Sequence, residues 1–179
     1  MGIEIERRFL VDGRNEKPWR TGKSSEMVQF YLADVSHIDG KLFWNGIELI
    51  EEDRAISNIV TWRIRQVGEE VVMAAKGRRI GAVATEYEWD LPFDLYKSLP
   101  LNGLPTIHKT RHYWTGKDGL LWEVDEYEGE ISGLIIAEVE LEEENQDVIV
   151  PDWVGMELTH LPGWSNSSLS MMIKDSEQN

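Results

Sequence analysis

The sequence contains no cysteine among its 179 residues, which excludes disulfides, thiolate metal sites and a cysteine nucleophile. Any metal must therefore bind to oxygen or imidazole, and the four histidines show no metal-ligand spacing. The sequence also lacks an apolar run of about 18 residues. Its first residues, Met-Gly-Ile-Glu-Ile-Glu, do not follow the basic-then-apolar order of a secretion signal. We therefore expect a cytoplasmic protein that does not engage membranes.

Basic residues are few: 18 Lys and Arg stand against 33 Asp and Glu, which gives a formal net charge of −15. Such a chain repels the phosphate backbone of nucleic acids, so binding to duplex nucleic acid is not expected. A small phosphate compound can be bound only at a local cluster of Lys and Arg, or with its charge partly neutralised by a metal ion.

Period-2 alternation of apolar and polar residues runs along most of the chain and predicts a mainly β protein. The predicted strands are Ile3–Val11, Met27–Ala33, Lys41–Ile50, Ile59–Val67, Val71–Lys76, Ala82–Leu91, Thr106–Thr115, Leu120–Tyr127 and Leu134–Glu142. Short Gly-containing turns after Val67 and Thr115 indicate antiparallel hairpins. Three short helices are predicted at Lys17–Gly22, Phe93–Leu99 and Ser165–Ile173.

The composition does not change abruptly anywhere, so residues 1–179 are interpreted as a single domain. Residues 174–179 are expected to form a loose polar tail. Residues 34–58 are interpreted as an insertion that could form an extra hairpin turning at Trp44-Asn45-Gly46. Because few helices are available to cover the apolar strand faces, a homodimer is a candidate assembly.

Six predicted strands carry two like charges at positions i and i+2, which lie on one strand face about 7 Å apart. The pairs are Glu4 and Glu6, Arg63 and Arg65, Glu86 and Glu88, Lys109 and Arg111, Glu123 and Asp125, and Glu138 and Glu140. Each pair could belong to an ordinary solvated sheet face. A solvated face usually mixes signs, however, because neighbouring like charges are destabilising. Sorting by sign favours a closed barrel whose acidic walls bind a divalent cation and whose basic walls bind a polyanion.

The first strand, Glu4-Ile5-Glu6-Arg7-Arg8, resembles the Glu-x-Glu-x-Lys signature of the triphosphate tunnel metalloenzymes, or CYTH proteins. The remaining family motifs are resembled in order by Gln29-Phe30-Tyr31-Leu32, Trp62-Arg63-Ile64-Arg65, Ala75-Lys76-Gly77, Thr85-Glu86-Tyr87-Glu88, Lys109-Thr110-Arg111, Trp122-Glu123-Val124-Asp125 and Ala137-Glu138-Val139-Glu140. The pattern is most similar to bacterial tripolyphosphatase-like members. The resemblance implies a closed, antiparallel, eight-stranded β-barrel, open at both ends, with a few short helices packed outside.

The resemblance also implies metal-dependent hydrolysis of the terminal phosphoanhydride of a small triphosphate, with inorganic tripolyphosphate as the first candidate. A thiamine triphosphatase or a class IV adenylate cyclase is an alternative activity within the family. A non-catalytic module that binds polyphosphate or nucleotide is the alternative outside enzymes.

Site residues follow from the same resemblance. The implied metal ligands are Glu4, Glu6, Asp125, Glu138 and Glu140, and oxygen ligands of this kind suit Mg²⁺ or Mn²⁺. The candidate second metal site, Glu86 and Glu88, could equally be a structural ion pair. The expected phosphate-binding residues are Arg8, Arg63, Arg65, Lys76, Lys109 and Arg111.

Two positions match a pair that assists water attack in some tripolyphosphatases: Lys109 and Tyr31. Tyr31 could instead be a buried aromatic residue with a satisfied hydroxyl. Arg78 and Arg79 lie just past Gly77, so they are expected at a rim or in a loop, with solvated side chains. The chain departs from the family pattern at Arg8, where the family has Lys, and in the segment His160–Asn166, which lacks the usual basic residue.

Overall fold

The structure, a computed structural model, describes residues 2–178. Its strands are β1 (Gly2–Val11), β2 (Ser24–Leu32), β3 (Ser36–Ile38), β4 (Lys41–Trp44), β5 (Ile47–Glu51), β6 (Ile59–Val67), β7 (Glu70–Gly77), β8 (Val83–Asp90), β9 (Thr106–Thr115), β10 (Leu121–Tyr127), β11 (Ile135–Glu140) and β12 (Val154–Glu157). The α-helices are α1 (Phe93–Ser98) and α2 (Asn166–Ser176), and single 3-10 turns lie at Pro18–Thr21 and Gly129–Ile131. In this described range, no helix is long and apolar enough to cross a membrane.

Eight strands form a closed antiparallel barrel, which confirms the predicted fold class. Their order is β1-β11-β10-β9-β2-β6-β7-β8, and β8 pairs back onto β1. The pairing of β1 with β11 sets Glu6 opposite Glu140 and Arg8 opposite Glu138. Because side chains alternate along each strand, this register places charged residues of both strands on one face, the barrel interior. The short strand β12 extends the sheet from β1.

The predicted strand Lys41–Ile50 is wrong as a single element. The structure divides it into β4 and β5, joined at Asn45 and Gly46, whose φ angles are 50° and 75°. Positive φ at both residues is the geometry of a tight hairpin turn, and Asn-Gly is the pair that adopts it most readily. The predicted hairpin turn is thus present. The alternation of apolar and polar residues continues through the turn, so the sequence pattern does not show that the chain reverses direction there. With β3 these strands form a separate three-stranded sheet.

The apolar residues lie mainly outside the barrel, beneath covering segments. The three-stranded sheet places Leu42 and Trp44 in one buried cluster with Ile64 and Met73 of the barrel wall. On the opposite side, Trp19 of the first 3-10 turn belongs to a second cluster, with Phe9, Trp122, Val124 and Val139. Trp19, Trp122 and Val124 are fully buried. These clusters provide buried apolar contacts outside the barrel, so its interior is free to carry polar groups.

Helix α2 packs against one end of the barrel. Its Leu169 is buried in a third cluster with Ile107, Ile136, Tyr127 and Leu158. Ile107 and Ile136 share the strand phase of Lys109 and Glu138, so they belong to the barrel interior. Apolar side chains and α2 therefore fill this end, whereas the resemblance implied a tunnel open at both ends. The helix also continues to Ser176, three residues past its predicted end, and Asn179 lies outside the described residues.

Candidate active site

The barrel interior contains a polar cavity of about 380 Å³. Its charged lining residues are Glu4, Glu6, Arg8, Arg63, Arg65, Lys76, Arg79, Glu86, Glu88, Arg111, Glu123, Glu138 and Glu140, and Tyr31 joins them. The structure thus brings together most of the site residues predicted from the sequence, drawn from seven barrel strands. Lys109 and Asp125 are the exceptions, since their side chains are completely buried next to the cavity rather than lining it.

One side of the cavity, here called the acidic wall, consists of Glu4, Glu6, Glu138 and Glu140 on the adjacent strands β1 and β11. Glu6 is the carboxylate of this wall that is hardest to ionise. Burial, followed by repulsion from Glu138 and Glu4, raises the pKa of Glu6 to about 7, although Arg79 and Lys76 oppose the shift. A carboxylate that is costly to ionise next to other carboxylates is one whose charge a cation would stabilise.

Two internal cations already contact the acidic wall. Lys76 Nζ lies 2.9 Å from both carboxylate oxygens of Glu4 and 3.2 Å from Glu86 Oε1. Arg79 Nη2 lies 2.9 Å from Glu4 Oε2 and 2.8 Å from Glu6 Oε1. Arg79 lies in a loop as predicted, but the prediction that its side chain is solvated is wrong, because that side chain enters the cavity and binds Glu4 and Glu6. Arg78, its neighbour, is exposed as expected.

Arg63 and Arg65 of β6, here called the basic wall, form loose ion pairs within the described residues. Arg63 Nη2 lies 3.7 Å from both Glu86 and Glu88, and Arg65 Nη2 lies 4.0 Å from Glu88. The buried Nε of Arg63 has no hydrogen-bond partner. Burial, followed by repulsion from Arg63, lowers the pKa of Arg65. Donors that are buried and poorly paired are ready to bind an anion.

A buried ion network lies at the deep end of the cavity. Asp125 accepts hydrogen bonds from Lys109 Nζ at 2.5 Å and from Arg111 Nε at 2.7 Å. Glu138 accepts from Arg8 Nε at 3.0 Å and from Arg111 Nη2 at 3.1 Å. Burial would raise the pKa of Asp125, but Arg111 and Lys109 outweigh it and lower the pKa. Burial also lowers the pKa of Lys109 to about 8, against the attraction of Asp125.

The two predicted catalytic residues have different partners. The Tyr31 hydroxyl donates to Gln29 Oε1 at 2.9 Å, whereas the Lys109 ammonium is bound to Asp125. Burial is the main cause that raises the pKa of Tyr31, and Arg63 opposes it. Tyr31 lines the cavity as a neutral hydroxyl, and Lys109 lies behind the cavity wall.

Sequence reasoning missed three parts of the site. Arg79 lies in a loop, where no strand period indicates the direction of a side chain. Glu123 was recognised as half of a charged pair but not as a site residue, and it forms a close ion pair with Arg111. The start of α2 lines the cavity through Ser165, Asn166 and Ser167. A Ser-Asn-Ser-Ser run before an apolar helix is an N-cap signal that could have indicated this.

The side chains of the acidic wall are candidate ligands for a divalent cation. The acidic wall offers only carboxylate oxygens, which are the ligands that hard divalent cations prefer. Within residues 2–178, no group of three or more His, Asp or Glu is already arranged to hold a metal ion. The ammonium of Lys76 and the guanidinium of Arg79 neutralise these carboxylates instead. The donor chemistry fits a divalent cation, provided that Arg79 moves aside.

A closed antiparallel barrel with oppositely charged interior walls defines a protein that binds small, highly charged ligands inside the barrel. The match to the CYTH domain model covers residues 50–170. The chain is also 32% identical, over 94% of each chain, to an inorganic triphosphatase of Acetivibrio thermocellus. The chain belongs to the CYTH domain family, whose triphosphate tunnel metalloenzymes are metal-dependent.

Further relatives agree with this assignment. An inorganic triphosphatase of Nitrosomonas europaea is 33% identical over 114 residues, which are 62% of this chain and 75% of that protein. A crystal structure of an inorganic triphosphatase superposes with a TM-score of 0.59, at 27% identity over 96% of each chain. The predicted family is thus confirmed, and the relatives agree with the predicted hydrolase activity.

Proposed function

We propose that the protein is a metal-dependent triphosphatase that hydrolyses the terminal phosphoanhydride of inorganic tripolyphosphate. The observation that supports it best is that the acidic and basic walls face one shared cavity, which can bind a cation and a chain of phosphates together. Two curated relatives named inorganic triphosphatase support the same substrate class. In this proposal residues 1–179 act as one domain, with residues 34–58 as an insertion outside the barrel.

The basic side is proposed to bind the phosphates. Arg63 and Arg65 offer poorly paired donors, and Arg guanidinium groups match phosphate oxygens in a two-pronged geometry. The full predicted set is Arg8, Arg63, Arg65, Lys76, Lys109 and Arg111, of which Lys109 lies behind the cavity wall and could reach a phosphate only after leaving Asp125. By holding the triphosphate in one orientation, these residues would place its terminal phosphorus in line with an attacking water. Arg8 and Arg111 already bind carboxylates, so they also fix the shape of the deep end.

The acidic side is proposed to hold Mg²⁺ or Mn²⁺ through Glu4, Glu6, Glu138 and Glu140. Asp125, the fifth predicted ligand, is bound by Lys109 and Arg111. While it is bound in this way, it would not contact the metal ion directly. Glu86 and Glu88 contact Lys76 and the basic wall, so their proposed role is to position those cations. The bound cation would neutralise phosphate oxygens and acidify a water molecule.

Assistance to the attack of water is assigned to Tyr31 and Lys109. The Tyr31 hydroxyl would orient the attacking water, and the Lys109 ammonium would stabilise the charge that develops during attack. The reaction forms a bond from the water oxygen to the terminal phosphorus and breaks the bridging P–O bond. Phosphate and pyrophosphate are the products, and the proton of the water passes to solvent.

The experiment is phosphate release from tripolyphosphate, thiamine triphosphate and ATP, each with Mg²⁺ and with Mn²⁺. The variant Glu4→Gln removes one charge from the acidic wall, and Arg65→Ala removes one charge from the basic wall. Tripolyphosphate should be hydrolysed fastest by the unmodified protein, and both variants should lose most of that activity. Equal rates in all three proteins would rule out the site. Cyclic AMP formed from ATP would favour a cyclase instead, and tripolyphosphate binding without turnover would favour a binding module.

A further inference from the structure

Arg79 places one nitrogen of its guanidinium between two carboxylates of the first barrel strand. Its Nη2 lies 2.9 Å from Glu4 Oε2 and 2.8 Å from Glu6 Oε1, and its Nη1 donates to the Ala82 carbonyl at 2.6 Å. Glu4 and Glu6 are neighbours on the inner face of β1. The guanidinium therefore supplies positive charge at the point where the two proposed metal ligands converge.

Arg79 differs from Lys76, the other cation on this wall, in how it is held. Lys76 belongs to β7 and lies in register with Glu86 of β8, so the barrel fixes its position. Arg79 lies between β7 and β8, and its side chain reaches the cavity from that loop. A change of its side-chain rotamer would break its hydrogen bond to the Ala82 carbonyl, free Glu6 and leave Glu4 bound to Lys76, without breaking a hydrogen bond between barrel strands.

The charge balance of the wall depends on this contact. Glu4 also binds Lys76, whereas the ion pair of Glu6 in the described part of the chain is the one with Arg79. A cation that binds Glu4 and Glu6 must displace two charge-assisted hydrogen bonds. A triphosphate entering the cavity would offer the released guanidinium new oxygen partners, so the displacement costs less when triphosphate is present.

We propose that Arg79 is a tethered counter-ion that couples metal binding to triphosphate binding, an inference that rests on the proposed function. It occupies the position between Glu4 and Glu6, gives that position to a divalent cation, and moves to the phosphates. Arg79 is thus a positioning residue of the proposed reaction. A metal ion alone binds weakly to such a wall, whereas a metal ion together with triphosphate binds well.

The test measures Mn²⁺ binding to the full chain by electron paramagnetic resonance, without phosphate, in the unmodified protein, Arg79→Ala and Arg78→Ala. Arg78 is the matched control, because it is exposed and its replacement removes the same charge from the same loop. Arg79→Ala should bind Mn²⁺ at least about tenfold more tightly, since two charge-assisted hydrogen bonds no longer compete. Arg78→Ala should bind like the unmodified protein.

Thermal unfolding gives a second measure that does not depend on activity. In EDTA, Arg79→Ala should unfold at a lower temperature than Arg78→Ala, because Glu6 loses its cation. In a separate sample without EDTA, Mn²⁺ should raise the unfolding midpoint of Arg79→Ala by more than that of Arg78→Ala. Equal Mn²⁺ affinities and equal midpoints in the two variants would overturn the role of Arg79. If instead no protein binds Mn²⁺ or releases phosphate from tripolyphosphate, the proposed function fails, which is a distinct result.

Discussion

Arg8 and Glu138 face each other across the seam that closes the barrel, and Arg8 Nε donates to Glu138 Oε1 at 3.0 Å. Both side chains are more than nine-tenths buried. Arg8 Nη1 also donates to the carbonyl of Trp164, just before α2, at 2.7 Å. The residue that replaces the family lysine therefore ties β1 both to β11 and to the helix that covers the barrel end. A lysine has one charged nitrogen and could not form the same two contacts in this planar arrangement.

The first prediction concerns this contact. Replacing Arg8 with Met should lower the free energy of unfolding by about 3 kcal/mol, because a buried carboxylate loses a partner. Arg8→Lys keeps the charge and should lose about 1 kcal/mol, the value of the hydrogen bond to Trp164. Urea unfolding at pH 7 measures both. Arg14→Met is the control, since Arg14 is 89% exposed and pairs with nearby Asp12. An equal loss in Arg8→Met and Arg14→Met would contradict the structural role of Arg8.

The second prediction concerns the pH dependence of stability. The pKa of Glu6 is raised from 4.5 to about 7, mainly by burial. The folded state then binds more protons than the unfolded state between these values, so stability falls as pH rises from about 4.5 to 7. Glu6→Gln removes this loss and should be more stable than the unmodified protein at pH 8, by up to about 3 kcal/mol. The two should have similar stability near pH 4.

Urea unfolding in EDTA across this pH range measures the effect. Glu69→Gln serves as a control for a lost negative charge, because Glu69 lies in the exposed turn between β6 and β7. Its stability difference from the unmodified protein should not change with pH over the same interval. A Glu6→Gln profile that runs parallel to the unmodified one would show that Glu6 ionises normally in the folded protein.

The third prediction is that a contact of the outer three-stranded sheet affects stability but not activity. Glu52, next to β5, accepts hydrogen bonds from Trp89 Nε1 at 2.7 Å and from Arg54. The side-chain hydrogen bond from Arg54 is the main cause that lowers the pKa of Glu52 to about 2. Its stabilising effect is present above pH 4.5 and is lost as pH falls toward 2. Glu52→Gln should lose about 1 kcal/mol of stability at pH 7. Its rate of tripolyphosphate hydrolysis should be unchanged, and a large loss of rate would show that the insertion acts on the site.

The sequence predicted the barrel and the inward direction of the charged pairs because strand alternation determines which face a side chain occupies. Glu4 and Glu138 follow this rule and line the cavity. Alternation does not determine how far along the barrel axis a residue lies. Lys109 and Arg111 share one face, yet Lys109 is sealed in the apolar end while Arg111 reaches the cavity.

Loop positions were beyond prediction for a different reason. The direction of Arg79 depends on how residues 78–82 turn, and Gly81 takes a φ of 61° there. No periodic signal encodes such a turn. The hairpin at Asn45 and Gly46 was recognisable because a two-residue Asn-Gly turn has a strong local preference. A turn can therefore be predicted from the sequence where its own residues strongly prefer one backbone geometry. It cannot be predicted where tertiary contacts determine that geometry.

The last prediction tests Lys109, which is completely buried beside Asp125. Lys109→Met alone should reduce tripolyphosphate turnover by about 10²-fold or more if Lys109 assists the chemistry. It should also destabilise the fold, because Asp125 keeps only Arg111 as a cation. The double variant Lys109→Met with Asp125→Asn removes both charges, so stability should recover in part. Turnover should stay low in the double variant, since the ammonium is still missing.

Stability and turnover thus separate the two roles of Lys109. If turnover recovers together with stability in the double variant, Lys109 only compensates Asp125 and is not a catalytic residue. Lys117→Met controls for the loss of a lysine, because Lys117 lies in the exposed turn between β9 and β10. Burial also lowers the pKa of Lys109 from 10.5 to about 8, so the unfolded state binds more protons between these values and stability should rise with pH there. That rise should disappear in Lys109→Met and persist in Lys117→Met, as measured by urea unfolding from pH 7.5 to about 10.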